Sequence, residues 1–334
     1  MMSGTGDTAV TRDRVDLGRP GAGPPVTPAS SMMDWAALIL LTLLSSWMPI
    51  AVRWAVATIP PVVGGIMRFS VAAVVIGAIL AGRGRLVLPE QRDWPRFVLL
   101  GIICVPINQV TLWSGVALAN PSHAAMLYST TPVIVTTISC LVGIEPFNLR
   151  VLLGAFCAVV GVLVILVNSG LTLTPAFFYG DLLLLLAAIS WSLYLVFSRP
   201  VTIRYGALRA QFWVFLIGSA VSAPLLAMGA SDVDWARITL LSWAGLIYLT
   251  LFVAVAVFFL YNWCIGRQPP SRVTTFGNAA FPLTLVWESI ITHRLPGGWF
   301  LVGSMFLITG MIMATWRSGS RRKAPAIATL PPEG

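Results

Sequence analysis

The chain has 334 residues, of which 57% are apolar and 10% charged. Soluble domains carry about 25% charged residues, so a water-soluble globule is excluded. The net charge of +9 does not indicate a nucleic-acid partner, because the Lys and Arg residues lie in short segments between long apolar runs, where they report membrane orientation.

Residues 1–33 are rich in Gly, Pro, Ser and Thr with scattered charges. They cannot bury a core and are expected to be a disordered cytoplasmic segment rather than a signal peptide, since the apolar run that follows is long and lacks a small-residue cleavage site. Ten apolar spans follow, at roughly 35–56, 61–81, 95–118, 122–143, 149–168, 180–199, 207–229, 238–264, 272–292 and 298–316, each near the ~20 residues that cross a bilayer as a helix. They form two units, 34–168 and 179–316, joined by a linker at 169–178 and closed by a basic tail at 317–334. With the N-terminus inside, the inner segments hold seventeen Lys and Arg residues and the outer loops two, Arg237 and Arg294; Arg53 and Arg68 lie within spans. This bias places both termini in the cytoplasm, which requires an even number of spans; the expected location is the plasma membrane. The four cysteines, Cys104, Cys140, Cys157 and Cys264, lie in or beside apolar runs without CxxC spacing, as free thiols do. His123 and His293 have no ligand-spaced partners, so neither a metal nor any other cofactor is expected.

Two stretches share one plan. Residues 121–146 hold Ser122, a central Pro132 and a terminal Glu145; residues 270–296 hold Ser271 and Pro282. Ser122 and Ser271 are 149 residues apart, as are Gly154 and Gly303, and Gly161 and Gly310. Glycines seven apart share a helix face and permit close backbone packing. Five spans per unit would make the second unit enter the membrane inverted, an arrangement characteristic of secondary transporters, with the substrate site at the midplane between the halves. Pro132 and Pro282 would each remove a backbone N–H and free the carbonyl four residues earlier, at Tyr128 and Asn278.

The ordered set Asn108-Gln109, Ser122-His123-Ala124-Ala125, Thr131-Pro132, Gly143 to Glu145, Gly154 to Gly161, Gly180-Asp181, Trp191, Ser271-Arg272, Pro282 and Gly303 to Gly310, with Arg68 after Pro61, resembles the EamA branch of the drug/metabolite transporter superfamily over about residues 35–316. The resemblance implies an all-α integral membrane protein of ten transmembrane helices, built as two inverted five-helix repeats, that exports small organic solutes. It departs from the family where Ser45-Ser46 precede Trp47, where Arg294 stands at the position matching Glu145, and where Glu288 lies inside the ninth span.

Charges inside spans are expensive and default to functional roles. Arg53, Arg68 and Glu288 are therefore the expected gate or coupling residues, with Glu288 pairing with Arg68 or Arg53 in the closed state. Trp47, Asn108, Gln109, Tyr128, Ser129, Trp191, Tyr194 and Asn278 are the expected substrate pathway; the resemblance places Tyr128, Ser129, Trp191, Tyr194 and Asn278 on helices that line the central route. Glu145 is expected to pair with Arg150 or meet a helix end. No P-loop is present, so transport would draw on substrate or ion gradients, protons being one candidate; no enzymatic activity is expected. The expected function is alternating-access export of amino acids or related amphipathic solutes, by a monomer or homodimer in contact with lipid. A non-transporting membrane sensor or assembly subunit is the alternative; a membrane-embedded lipid enzyme fits less well, for want of clustered His, Asp and Glu.

Overall fold

Prolines and glycines punctuate a chain that is otherwise helix-forming and apolar. A computed structural model describes residues 32–118, 127–168, 178–231, 233–293 and 298–315. Residues 1–31 of the expected N-terminal segment, residues 169–177 of the linker, the basic tail, Ser122, His123 and Arg294 lie outside the described residues, whereas Met32-Met33 and Phe178, expected outside the spans, begin helices.

The helices are α1 (Met32–Ser46), α2 (Met48–Val56), α3 (Pro61–Gly82), α4 (Trp94–Ile102), α5 (Asn108–Leu118), α6 (Thr131–Leu141), α7 (Leu149–Asn168), α8 (Phe178–Tyr205), α9 (Ala207–Ala230), α10 (Leu240–Tyr248), α11 (Phe258–Arg267), α12 (Pro270–Gly277), α13 (Ala280–Thr292) and α14 (Gly298–Thr315). Pro61 and Pro270 open α3 and α12, where the missing N–H costs nothing because first-turn donors have no helical partner. Gly206, at φ 81°, turns the chain between α8 and α9, a conformation open to glycine at no steric cost.

Several expected spans are broken rather than continuous. The first is α1 and α2 with a turn at Trp47. The third joins α4 to α5 through a π-helical turn at Ile103–Ile107 that contains Pro106, and the eighth joins α10 to α11 through a π-helical segment at Leu249–Val257. Residues 103–107 fall within that second segment when shifted by 149. π turns spoil the regular i→i−4 ladder; the buried Gln211 amide donates to the Ala254 and Val255 carbonyls at 2.6 and 3.1 Å, covering acceptors beside the irregularity.

Among the described residues, six segments are long and apolar enough to cross a membrane: Met32–Val56, Pro61–Gly82, Gln91–Val116, Phe178–Tyr205, Ala207–Ala230 and Leu240–Arg267. Three further apolar helices, Leu127–Leu141, Leu149–Val164 and Leu301–Gly310, are shorter. Large apolar side chains remain on the outside, Val74 at 72% and Leu301 at 66% exposure among them; such a surface suits lipid rather than water.

α7 packs along α14. A side chain at Gly161 would run into the Gly303 carbonyl, and one at Gly310 into the Gly154 carbonyl. The two contacts are the same contact with the partners exchanged, each glycine answering its 149-residue counterpart. α5 also packs on α8, and α2 on α10. The main core lies between the halves, where Phe69, Phe215 and Phe258 meet edge to face with centroids 4.6 to 5.3 Å apart, a favoured aromatic geometry.

Candidate functional site

Two of the breaks in the helices meet each other. Thr130 interrupts the helix before α6, and Asn278-Ala279 separate α12 from α13; Thr130 and Ala279 are 149 residues apart. Pro132 sits in the first turn of α6 rather than kinking a continuous helix. The Asn278 carbonyl, expected to be freed by Pro282, instead accepts the Phe281 N–H at 3.2 Å, because the helix restarts before the proline. Across the two breaks, the buried Asn278 amide donates to the Ser129 carbonyl at 2.8 Å, and these two residues are also 149 apart.

Beside this bridge lies a buried polar network drawn from α3, α5, the turn before α6, and α8. Arg68, 2% exposed, donates from Nη2 to Gln109 Oε1 at 2.9 Å. Gln109 Nε2 donates to Asn108 Oδ1 at 2.9 Å. Asn108 Nδ2 is shared among Tyr128 Oη at 3.0 Å, the Ala187 carbonyl at 2.9 Å and Ser190 Oγ at 3.2 Å. Trp113 Nε1 donates to Gln109 Oε1 at 3.0 Å. Thus Arg68, Asn108, Gln109 and Tyr128 form one chain of hydrogen bonds, with Ser129 and Asn278 adjoining it. Such a network inside a membrane protein is held up by mutual satisfaction of its members.

The other expected pathway residues form two separate groups. Trp191 stacks on Tyr194 at 5.4 Å and meets Phe258 and Tyr261 edge to face, while Tyr194 Oη and the Asn262 side chain are hydrogen-bonded. Trp47 lies 5.7 Å from Trp287 and 6.1 Å from Trp54, and Trp287 Nε1 donates to Ser46 Oγ at 2.9 Å. Arg53 is exposed near the end of α2. The Glu288 side chain lies outside the described residues; its helix, α13, packs on α1, α2 and α7.

Sequence reasoning did not assign Trp113 and Ser190 to the pathway. Trp113 is one turn beyond Gln109, a spacing that brings side chains together on a helix, and that was its available signal. Its side chain also lines a crevice, too narrow to hold a water molecule, with Ala55, Ile59, Gly64, Leu246 and Leu249. Trp113 is therefore the wall between the crevice and the Arg68–Gln109 pair. Glu145 meets a helix end: Oε1 accepts the Ser271 N–H at 3.1 Å, and Oε2 accepts its hydroxyl. It thereby caps the first turn of α12, where unpaired N–H groups favour an anion.

The fold and site define an all-helical protein of membrane character with a buried polar centre. The sequence model of the EamA-like transporter family matches residues 33–167 and again 178–316, and the chain belongs to that family of membrane transporters. It is 28% identical over 248 residues to the Bacillus subtilis (strain 168) protein "Uncharacterized transporter YetK", covering 72% of this chain and 74% of that one. It is 22% identical over 286 residues to "Uncharacterized transporter YoaV" of the same organism, covering 86% and 97%. A solved crystal structure shares the fold with a TM-score of 0.72 at 20% identity, over 85% of this chain and 96% of that chain.

Proposed function

We propose that the chain is a secondary active transporter that exports small organic metabolites, amino acids or related amphipathic solutes, by alternating access, and has no enzymatic activity. In this reading two inverted five-helix repeats rock about a central site, with both termini cytoplasmic in the plasma membrane. The exchanged glycine contacts between α7 and α14 support the repeat, since a contact that recurs with its partners swapped is what a two-fold relation produces. The two matches to the family model support the duplication.

The observation that carries the proposal is the buried network of Arg68, Gln109, Asn108 and Tyr128 beside the matched breaks at Thr130 and Asn278-Ala279. Interrupted helices in corresponding positions mark the substrate site of inverted-repeat transporters. Trp191, Tyr194 and Trp47 would supply aromatic walls on either side of it. Arg53 and Glu288, nearer the ends of their helices, would serve the outer gate.

The test is counterflow in liposomes containing the purified full-length protein and a panel of labelled amino acids and related solutes, without ATP. Saturable flux of at least one solute, at least tenfold above empty liposomes, is expected. No protein-dependent flux of any solute would favour a sensor or assembly subunit instead.

A further inference from the structure

Arg68 is incompletely satisfied. A guanidinium carries five N–H donors; among the described residues its one hydrogen bond runs from Nη2 to Gln109, and Nε and Nη1 have no partner there although the side chain is 2% exposed. Among the described residues, no ion pair joins it to a carboxylate. Its guanidinium carbon lies 4.8 Å from the Phe69 ring centroid and 5.9 Å from that of Trp113; aromatic faces ease a buried positive charge but do not replace its N–H acceptors. The neighbouring amides are already engaged, Gln109 Oε1 by two donors and Asn108 Oδ1 by Gln109. A buried cation left in this state is costly unless something external completes it.

We infer that Arg68 binds the carboxylate of a small organic monocarboxylate, the acid group of an amino acid included. Whichever Nη2 hydrogen Gln109 takes, one complete two-donor edge of the guanidinium remains, and such an edge matches the two oxygens of a carboxylate. One cation balances one negative charge; a phosphate dianion would call for a second, and the network's other described members, Gln109, Asn108, Tyr128, Ser190 and Trp113, carry none. Phe69, Trp113 and Tyr128 give the organic part aromatic neighbours.

This binding step deepens the transporter reading and rests on it for its role, but not for its detection. The full-length protein in lipid nanodiscs is titrated with benzoate against benzamide, and with L-phenylalanine against L-phenylalaninamide, at constant ionic strength, while the unfolding midpoint is followed by tryptophan fluorescence. At least one acid is expected to raise the midpoint and to bind at least tenfold more tightly than its amide. Arg68→Gln should remove that preference, and Arg68→Lys, which keeps the charge but not the fork, should weaken binding at least threefold. Should Arg68→Gln not fold, the acid–amide comparison on the unaltered chain decides alone. Equal binding of acid and amide in both pairs, the same shift from chloride, or a folded Arg68→Gln that keeps the preference would each overturn the inference. Flux of solutes indifferent to their carboxyl group would sink this inference and leave the transporter reading standing; acid-selective binding without flux of any solute would do the reverse.

Discussion

A β-carbon at position 65 would lie 2.6 Å from Trp113 Nε1 and 2.8 Å from its Cδ1, inside any tolerable contact. Gly65→Ala therefore pushes the indole off Gln109, breaking one of the two hydrogen bonds that Gln109 Oε1 accepts. Overpacking of this kind costs about 1–3 kcal/mol, so the variant should fold with a lowered unfolding midpoint and lose most solute flux in liposomes; unchanged flux would show that the position of Trp113 is immaterial. At Asn278 the effect runs through a carbonyl. Asn278→Ala leaves the buried Ser129 carbonyl without its amide donor, at about 1–3 kcal/mol. Thermal unfolding should register that loss, whereas Asn278→Asp, which also lacks the donor and adds a charge near the centre, should be worse. The polar members of the network were legible one by one in the sequence, because Arg68, Asn108, Gln109 and Tyr128 stand out in apolar runs. Their partnership was not, since it depends on how α3, α5 and α8 approach one another, and a tryptophan such as Trp113 in an apolar helix gives no compositional signal of its own.

At the scale of helices, α7 and α14 offer the sharpest test of the 149-residue correspondence. Gly161 faces the Gly303 carbonyl and Gly310 faces that of Gly154, so Gly161→Ala and Gly310→Ala each force backbone apart at an equivalent point. Each should lower stability by about 1–3 kcal/mol, by similar amounts, as read from detergent unfolding curves; a loss confined to one of the two would break the equivalence. Some helix ends coincide with punctuation in the sequence: Pro61, Gly82, Gly206 and Pro270 sit within a residue of the observed boundaries. The interruptions were harder to read. Pro132 and Pro282 marked the right helices, but the breaks fall at Thr130 and at Asn278-Ala279, before each proline. A proline is accommodated in a helix's first turn, so the chain restarts its helix there instead of bending through it. The π-helical segment at Leu249–Val257 contains no proline at all, and nothing in its apolar run distinguishes it from regular helix.

For the whole molecule, the apolar exterior and the buried polar centre divide the roles. Val74, Leu240 and Leu301 face outward, while Arg68, Gln109, Asn108 and Asn278 are buried between helices. Composition and hydropathy were enough to recognise the membrane class and to mark the apolar runs, and the paired spacing of Ser122, Gly154 and Gly161 with Ser271, Gly303 and Gly310 pointed to the repetition proposed above. The proposed motion, two halves exposing one site to each side in turn, is tested most directly by thiol labelling. Cys104, Cys140, Cys157 and Cys264 are replaced by alanine, and Ser129→Cys is introduced beside the central bridge in a chain shown to retain flux. Membrane-impermeant maleimide is then applied to right-side-out and inside-out vesicles. The account predicts labelling from both sides, with a substrate that traps one orientation suppressing one of the two; reaction from a single side under every condition would contradict it.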